Sequence, residues 1–328
     1  MDNFIFAVNS VMPIVLLIAL GYLLKKIGLI DKNFLATGNK LCFKVLLPIM
    51  LFYNVFGIGS LDGIDWSIAA YCVGSIVGAF AIGLIVVAIF VPERDRKGVV
   101  LQGVFRTNYA MIGLPLAEML FGAEGKALAS LMAAFAIPVL NTFAVIALTI
   151  YGEKTDKPVE RIKNTLLNIV KNPLIHGVVL GVVFVLIRQA FIKYGISFRL
   201  SDIKFLNTAV RFISTMTTPF ALIILGGQFE LDHFKKYAKE LTVATVTRTM
   251  IVPAICLLIA CVVFGFRGVA VAVFVAIYGS PVATASAIMA REMGGDADLA
   301  GAIVVSTTIV SSVTLVAIIT VLKACAVI

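Results

Sequence analysis

Arg106-Thr107-Asn108-Tyr109, followed by Gly113-Leu114-Pro115, interrupts an apolar run from Lys97 to Phe121. Gly279-Ser280-Pro281, followed by Thr284 and Ser286, interrupts a second run from Gly268 to Met293. A chain in lipid must pair every backbone N–H and C=O, so a helix broken at membrane depth has to line a cavity or face protein. Two such breaks at matching positions in two halves of a chain point to a transporter's binding site. Gly113, Pro115, Gly279 and Pro281 are expected to create the breaks.

The rest of the chain fits this reading. Of its 328 residues, 61% are hydrophobic and the mean hydropathy is +1.06, more apolar surface than a soluble domain can hide. The apolar residues form runs of about 20, the length that crosses a bilayer. Ten spans are expected, at 4–25, 34–57, 66–91, 98–121, 126–151, 173–192, 204–228, 238–264, 268–290 and 299–323. Asp2 precedes the first span and Lys25-Lys26 follow it, the reverse of a secretory leader. The net charge of +9 does not indicate nucleic acid, because Lys and Arg sit mainly in short loops between spans. The five cysteines form no CxxC pair and read as apolar packing residues.

Alternate loops differ in charge. Lys25, Lys26 and Lys32, then Arg94, Arg96 and Lys97, then the loop from Glu153 to Asn172, then Lys235, Lys236 and Lys239, and finally Arg291 form the richer set. The positive-inside rule places that set in the cytoplasm and both termini outside. The loop from Arg188 to Lys204 is discordant. Val159, Ile162, Leu166 and Ile169 repeat at helical spacing in the long central loop, which suggests an amphipathic helix on the membrane surface.

Five spans precede that loop and five follow, so the second half enters from the opposite side. The expected organisation is a first repeat at 1–151, a cytoplasmic linker at 152–172 and a second, inverted repeat at 173–328. Pro48 in span 2 has a counterpart in Pro219 of span 7, whereas Pro253 and Pro138 have none.

Ionisable groups inside a membrane are costly and mark function. Lys44, Arg106, Arg211 and Arg248 are the deep cations. Arg106 and Arg248 lie roughly 13–17 Å into the bilayer at 1.5 Å per residue, near the midplane of a core about 30 Å thick. Glu118 is the one acidic residue well within a span, towards the outer surface. Arginines without a carboxylate at mid-depth suit an anion, and the guanidinium fork matches a carboxylate. Half-helices that begin at the breaks add positive dipole ends. Asn108, Tyr109, Ser280, Thr284 and Ser286 are neutral groups to orient the ligand, and Asn54 and Asn141 are further polar residues in apolar runs. GxSxG, HExxH and P-loop patterns do not occur, so neither an enzyme nor an ATP-driven pump is expected, and no metal or cofactor is called for.

Arg106-Thr-Asn108-Tyr109 with Gly113-Leu-Pro115, Asn39-Lys40 with Leu47-Pro48, Pro219 with Leu225-Gly226, Arg248 with Pro253, and Gly279-Ser280-Pro281 together resemble the auxin efflux carrier family over essentially the whole chain. The short central loop resembles the bacterial malate or malonate permease branch more than plant PIN-type members. The resemblance implies an all-α membrane protein of ten helices in two inverted five-helix repeats, with helices 4 and 9 crossing at their breaks as in bile acid symporters. It also implies a scaffold of spans 1, 2, 6 and 7 and a mobile crossover domain that carries an organic anion by an elevator-like movement. Intramembrane carboxylates of the kind that bind sodium in relatives of this fold are not evident. Expected partners are a small organic anion and the bilayer of a bacterial cytoplasmic membrane, with proton coupling and a homodimer through the scaffold left open. A passive anion channel is the competing reading.

Overall fold

The computed structural model describes residues 2–57, 65–152, 167, 170–196, 202–228 and 235–328, and these form helices and no strand. The helices are α1 (Asp2–Lys26), α2 (Lys32–Phe56), α3 (Trp66–Phe90), α4 (Arg94–Phe105), α5 (Leu114–Gly152) and α6 (Pro173–Lys193). They continue as α7 (Lys204–Gln228), α8 (Ala238–Val263), α9 (Val269–Gly279), α10 (Ala285–Glu292) and α11 (Ala297–Ala324). Side-chain oxygens cap several starts: Asp31 accepts from Phe34 N at 2.7 Å, Asn172 from Leu174 N at 2.9 Å and Asp296 from Leu299 N at 3.0 Å.

Seven described helices, α2, α3, α5, α6, α7, α8 and α11, are long and apolar enough to cross a membrane, and α9 is a shorter apolar helix. Large aliphatic side chains stand exposed on them, among them Ile89 on α3, Val262 on α8 and Val313 on α11, a surface that suits lipid. α5 is two helices joined end to end, broken by non-helical backbone at Phe121 and Gly122, with Gly122 at φ 58° and ψ −140°. Only glycine adopts that conformation cheaply. A Cβ on Gly125 would lie 2.1 Å from the Ala117 carbonyl oxygen, and Lys126 pairs with Glu118 across the turn at 3.0 Å. The boundary expected between 98–121 and 126–151 therefore falls at this break, where two helices join at Phe121 and Gly122.

Three π-helical turns, Cys42–Leu46, Tyr109–Gly113 and Thr247–Ile251, each end just before a proline: Pro48, Pro115 and Pro253. Proline lacks an N–H and crowds the carbonyl four residues back, and the wider turn takes up that misfit.

α1 packs along α7, and α2 packs along α6. Glycine makes both approaches possible. A Cβ on Gly226 would lie 2.0 Å from Ile18 O, one on Gly21 would lie 2.1 Å from Ile223 O, and one on Gly177 would lie 2.3 Å from Pro48 O. α9 is the central element: every residue from Ala270 to Gly279 is buried, and it packs against α5, α8 and α11.

At one end of the bundle the starts of α4, α8 and α11 meet. Arg96 Nη1 donates to Glu240 at 2.8 Å and Arg96 Nε lies 3.7 Å from Asp296, while the Arg96 guanidinium sits 5.0 Å from the Tyr237 ring centroid. The hydrogen bond to Glu240 holds the Arg96 guanidinium above its ordinary pKa. Asn39 Nδ2 on α2 donates to Glu292 Oε1 on α10 at 2.6 Å at the same end. The amphipathic pattern at Val159, Ile162, Leu166 and Ile169 lies outside the described residues.

Candidate functional site

The first break follows α4. Arg106 is extended at φ −76° and ψ 133°, Asn108 stands at φ −85° and ψ 49°, and the helix resumes through the π-turn into α5. The second break follows α9: Ser280 is extended at φ −68° and ψ 145°, and the helix resumes at α10 after Thr284. The breaks touch, since Asn108 N donates to Pro281 O at 2.8 Å.

A cavity of about 420 Å³ lies against this junction. Arg106, Thr107, Asn108 and Tyr109 line it from the first break, and Ala283, Thr284 and Ala285 from the second. Asn54 of α2 and Ser214, Thr215 and Thr218 of α7 form the facing wall, and Asn141 of α5 closes one side. Arg106 is the one charged residue on the wall among the described residues.

Arg106 is 2% exposed. Its Nη1 donates to Gln102 Oε1 and its Nη2 to Asn141 Oδ1, each at 3.0 Å, and Nη1 also meets the Met289 thioether. Both amides are held in turn: Gln102 Nε2 donates to Ala144 O at 3.3 Å and Asn141 Nδ2 to Ile137 O at 2.8 Å. These anchors fix which amide atom faces the guanidinium. All three acceptors are neutral, so they orient Arg106 without neutralising it. A buried charge needs an opposing charge or dense hydrogen bonding to be tolerated. The N-terminal ends of α10 and of the turn leading into α5 also open on the cavity, and the first N–H groups of a helix lack intrahelical partners. Cation and dipole ends together make the cavity wall electropositive.

Of the residues expected from the sequence, Arg106, Asn108, Tyr109 and Thr284 come together on this wall. The Tyr109 hydroxyl is engaged with Ala129 O at 2.7 Å. Arg248, Ser280 and Ser286 lie off the wall. Arg248 is fully buried and donates to Ile277 O and Ser280 O, the Ser280 hydroxyl donates to Ala276 O at 2.6 Å, and Ser286 packs with Gln102, Gly103 and Val282. Gly113 permits the close pass of the first break over α9, where a Cβ would meet Ala276 O at 2.7 Å. Gly279 faces Leu315, and Pro115 is exposed. Lys44 and Arg211 are exposed as well.

Sequence reasoning missed Thr107, whose buried hydroxyl has no hydrogen-bond partner among the described residues, and the Ser214-Thr-Met-Thr-Thr218 cluster. That cluster carried a signal, being a polar run beside Pro219 in an otherwise apolar span. Among the described residues no three His, Cys, Asp or Glu side chains gather as a metal site would need.

Helices that cross a membrane, two of them broken and joined beside a polar cavity, define a membrane transporter. The chain belongs to the membrane transport protein family, that of the auxin efflux carriers, whose profile matches residues 6–319. It is similar to an uncharacterized transporter of Methanothermobacter thermautotrophicus, 23% identical over 313 residues that cover 93% of this chain and 95% of that one. Its fold is similar to that of a sodium proton antiporter of Methanocaldococcus jannaschii, with a TM-score of 0.54 over 96% of each chain at 11% identity.

Proposed function

We propose that the protein is a secondary transporter that moves a small organic anion, a carboxylate, across a bacterial cytoplasmic membrane by elevator-like alternating access. The observation that carries this reading is the cavity wall, where one oriented guanidinium stands among neutral groups and two helix N-termini. Arg106 would attract the carboxylate, and Asn108, Thr107 and Thr284 would orient it. Residues from α2 and α7 form one wall and the breaks the other, so a substrate would sit between a scaffold and a crossover unit. Movement of one against the other would expose it to either side.

Two packing relations support the ten-span inverted arrangement. α1 lies on α7 and α2 lies on α6, the exchange that a repeat relating spans 1 and 2 to 6 and 7 requires. The contacts of Arg96 with Glu240 and Asp296, and of Asn39 with Glu292, join loops or helix ends of the set richer in Lys and Arg, which supports placing them on one side, the cytoplasm.

The test is ligand stabilisation of the purified protein. A ligand that binds only the folded state raises stability by mass action. A short mono- or dicarboxylate should raise Tm saturably, and its neutral amide should not. Equal shifts for acid and amide, or none for any carboxylate, would remove the anion assignment. Counterflow in proteoliposomes separates a carrier from a passive anion channel, which would show ohmic current instead.

A further inference from the structure

Arg248 belongs to the π-turn of α8 and is 0% exposed. Its Nε donates to Ser280 O at 3.2 Å, and its Nη2 donates to Ser280 O at 2.6 Å and to Ile277 O at 2.9 Å. Those oxygens stand at the C-terminal end of half-helix α9, where the last carbonyls of a helix lose their intrahelical partners and the dipole is negative. The Ser280 hydroxyl takes Ala276 O, and the Asn108 N–H takes Pro281 O. Together these groups serve the carbonyls Ala276, Ile277, Ser280 and Pro281, and one of them carries a full positive charge.

In broken-helix transporters, unwound carbonyls and half-helix C-termini are where an inorganic cation is coordinated. We infer that Arg248 is a resident cation for that end of α9: its guanidinium occupies the carbonyl cluster that a bound Na⁺ or K⁺ would otherwise need to neutralise. Arg248 is then a positioning residue. It holds the second break in shape from behind, while Arg106 faces the cavity. The crossing keeps its charge balance in every state of the cycle without loading or releasing an alkali ion. The fork geometry fits the task, because Nε and Nη2 converge on Ser280 O while Nη2 also reaches Ile277 O, and a compact ammonium on a flexible stem is less pre-organised for that arrangement. Arg248 Nη1 is buried without a hydrogen-bond partner among the described residues. The inference rests on the transporter reading for its meaning, but its test does not involve a carboxylate.

The experiment measures Tm of the purified full chain at constant ionic strength in choline, sodium, potassium and millimolar guanidinium chlorides. Wild type should melt at the same temperature in choline, sodium and potassium. Arg248→Ala should lose about 5 °C or more, and guanidinium should restore a saturable part of that loss beyond the other salts. Arg248→Met fills the same space without charge, and should fall without being restored. Arg248→Lys should lie between wild type and Arg248→Met. A saturable sodium- or potassium-specific rise in wild type would overturn the inference, as would an Arg248→Ala protein indifferent to guanidinium. If Arg248→Ala does not fold, the wild-type salts and the ordering of Arg248→Lys above Arg248→Met decide. A protein that binds no carboxylate can still pass every arm, so failure here and failure of the anion reading are separate results.

Discussion

The backbone N–H of Asn108 donates to the carbonyl oxygen of Pro281 at 2.8 Å, so each helix break pairs a backbone group of the other. This is how an irregular segment survives at membrane depth. The bond belongs to the main chain, which separates the roles of Asn108. Asn108→Ala keeps it, and should cost less stability than loss of the main-chain bond while reducing transport severely, because Asn108 lines the cavity. Asn108→Pro removes the N–H, leaves Pro281 O unpaired and should cost about 1–3 kcal/mol. Equal destabilisation by both variants would make the side chain structural.

Arg106→Gln should weaken carboxylate binding more than tenfold, about 1.4 kcal/mol or more, and Arg106→Lys should be intermediate because it keeps charge without the fork. Equilibrium binding of the best ligand from the stability screen measures this. Unchanged affinity in Arg106→Gln would leave the helix N-termini as the anion site.

Glycine substitutions should split by location. Gly226→Ala drives a Cβ to 2.0 Å from Ile18 O and should cost about 1–3 kcal/mol, whereas Gly78 on α3 has nothing within 4 Å of its Cβ position. Gly78→Ala should be neutral or stabilising by up to about 1 kcal/mol. Thermal melts of the two variants in one detergent decide, and similar losses in both would contradict the α1–α7 contact.

The bond from Asn39 to Glu292 ties α2 to the far end of α10. Hydrogen bonds to charged groups contribute about 1.5–3 kcal/mol. Asn39→Leu should therefore speed hydrogen exchange in α10 by about tenfold or more with little change in α3. Unaltered protection of α10 would show that the bond does not hold the two units together.

Asp65 caps α3, accepting from Ser67 N at 2.9 Å. The Ser67 side-chain and backbone hydrogen bonds lower the Asp65 pKa from its ordinary 3.8. A lowered carboxylate pKa gives stability that is complete above 3.8 and lost as pH falls through the lower folded value. Asp65→Asn keeps a cap without titrating, so its melting temperature should change less than that of wild type on acidification below pH 4. Parallel pH profiles would show that the cap does not matter to global unfolding.

The membrane class and the positions of both breaks were legible in the residues, because apolar run length and the Gly-Pro-polar interruptions are local properties. The family too was legible, from the order of those same short motifs. The end of one span at Phe121 and the start of the next by Lys126 were legible as well, and the tertiary structure added how tightly the chain folds back there, with Gly125 against Ala117. Local patterning ranked Arg106 and Arg248 together, because counting along a helix gives depth and nothing about direction. Only the tertiary structure separated them, turning one guanidinium toward neutral amides beside the cavity and the other onto the carbonyl end of α9. Likewise the sequence offered Thr284 and Ser286 as equals, and packing put one on the cavity wall and the other between α10 and α4. The physical reason is the same in each case: backbone pairing and helix period are set by near neighbours, while the partner of a buried polar group is set by which distant segment packs against it.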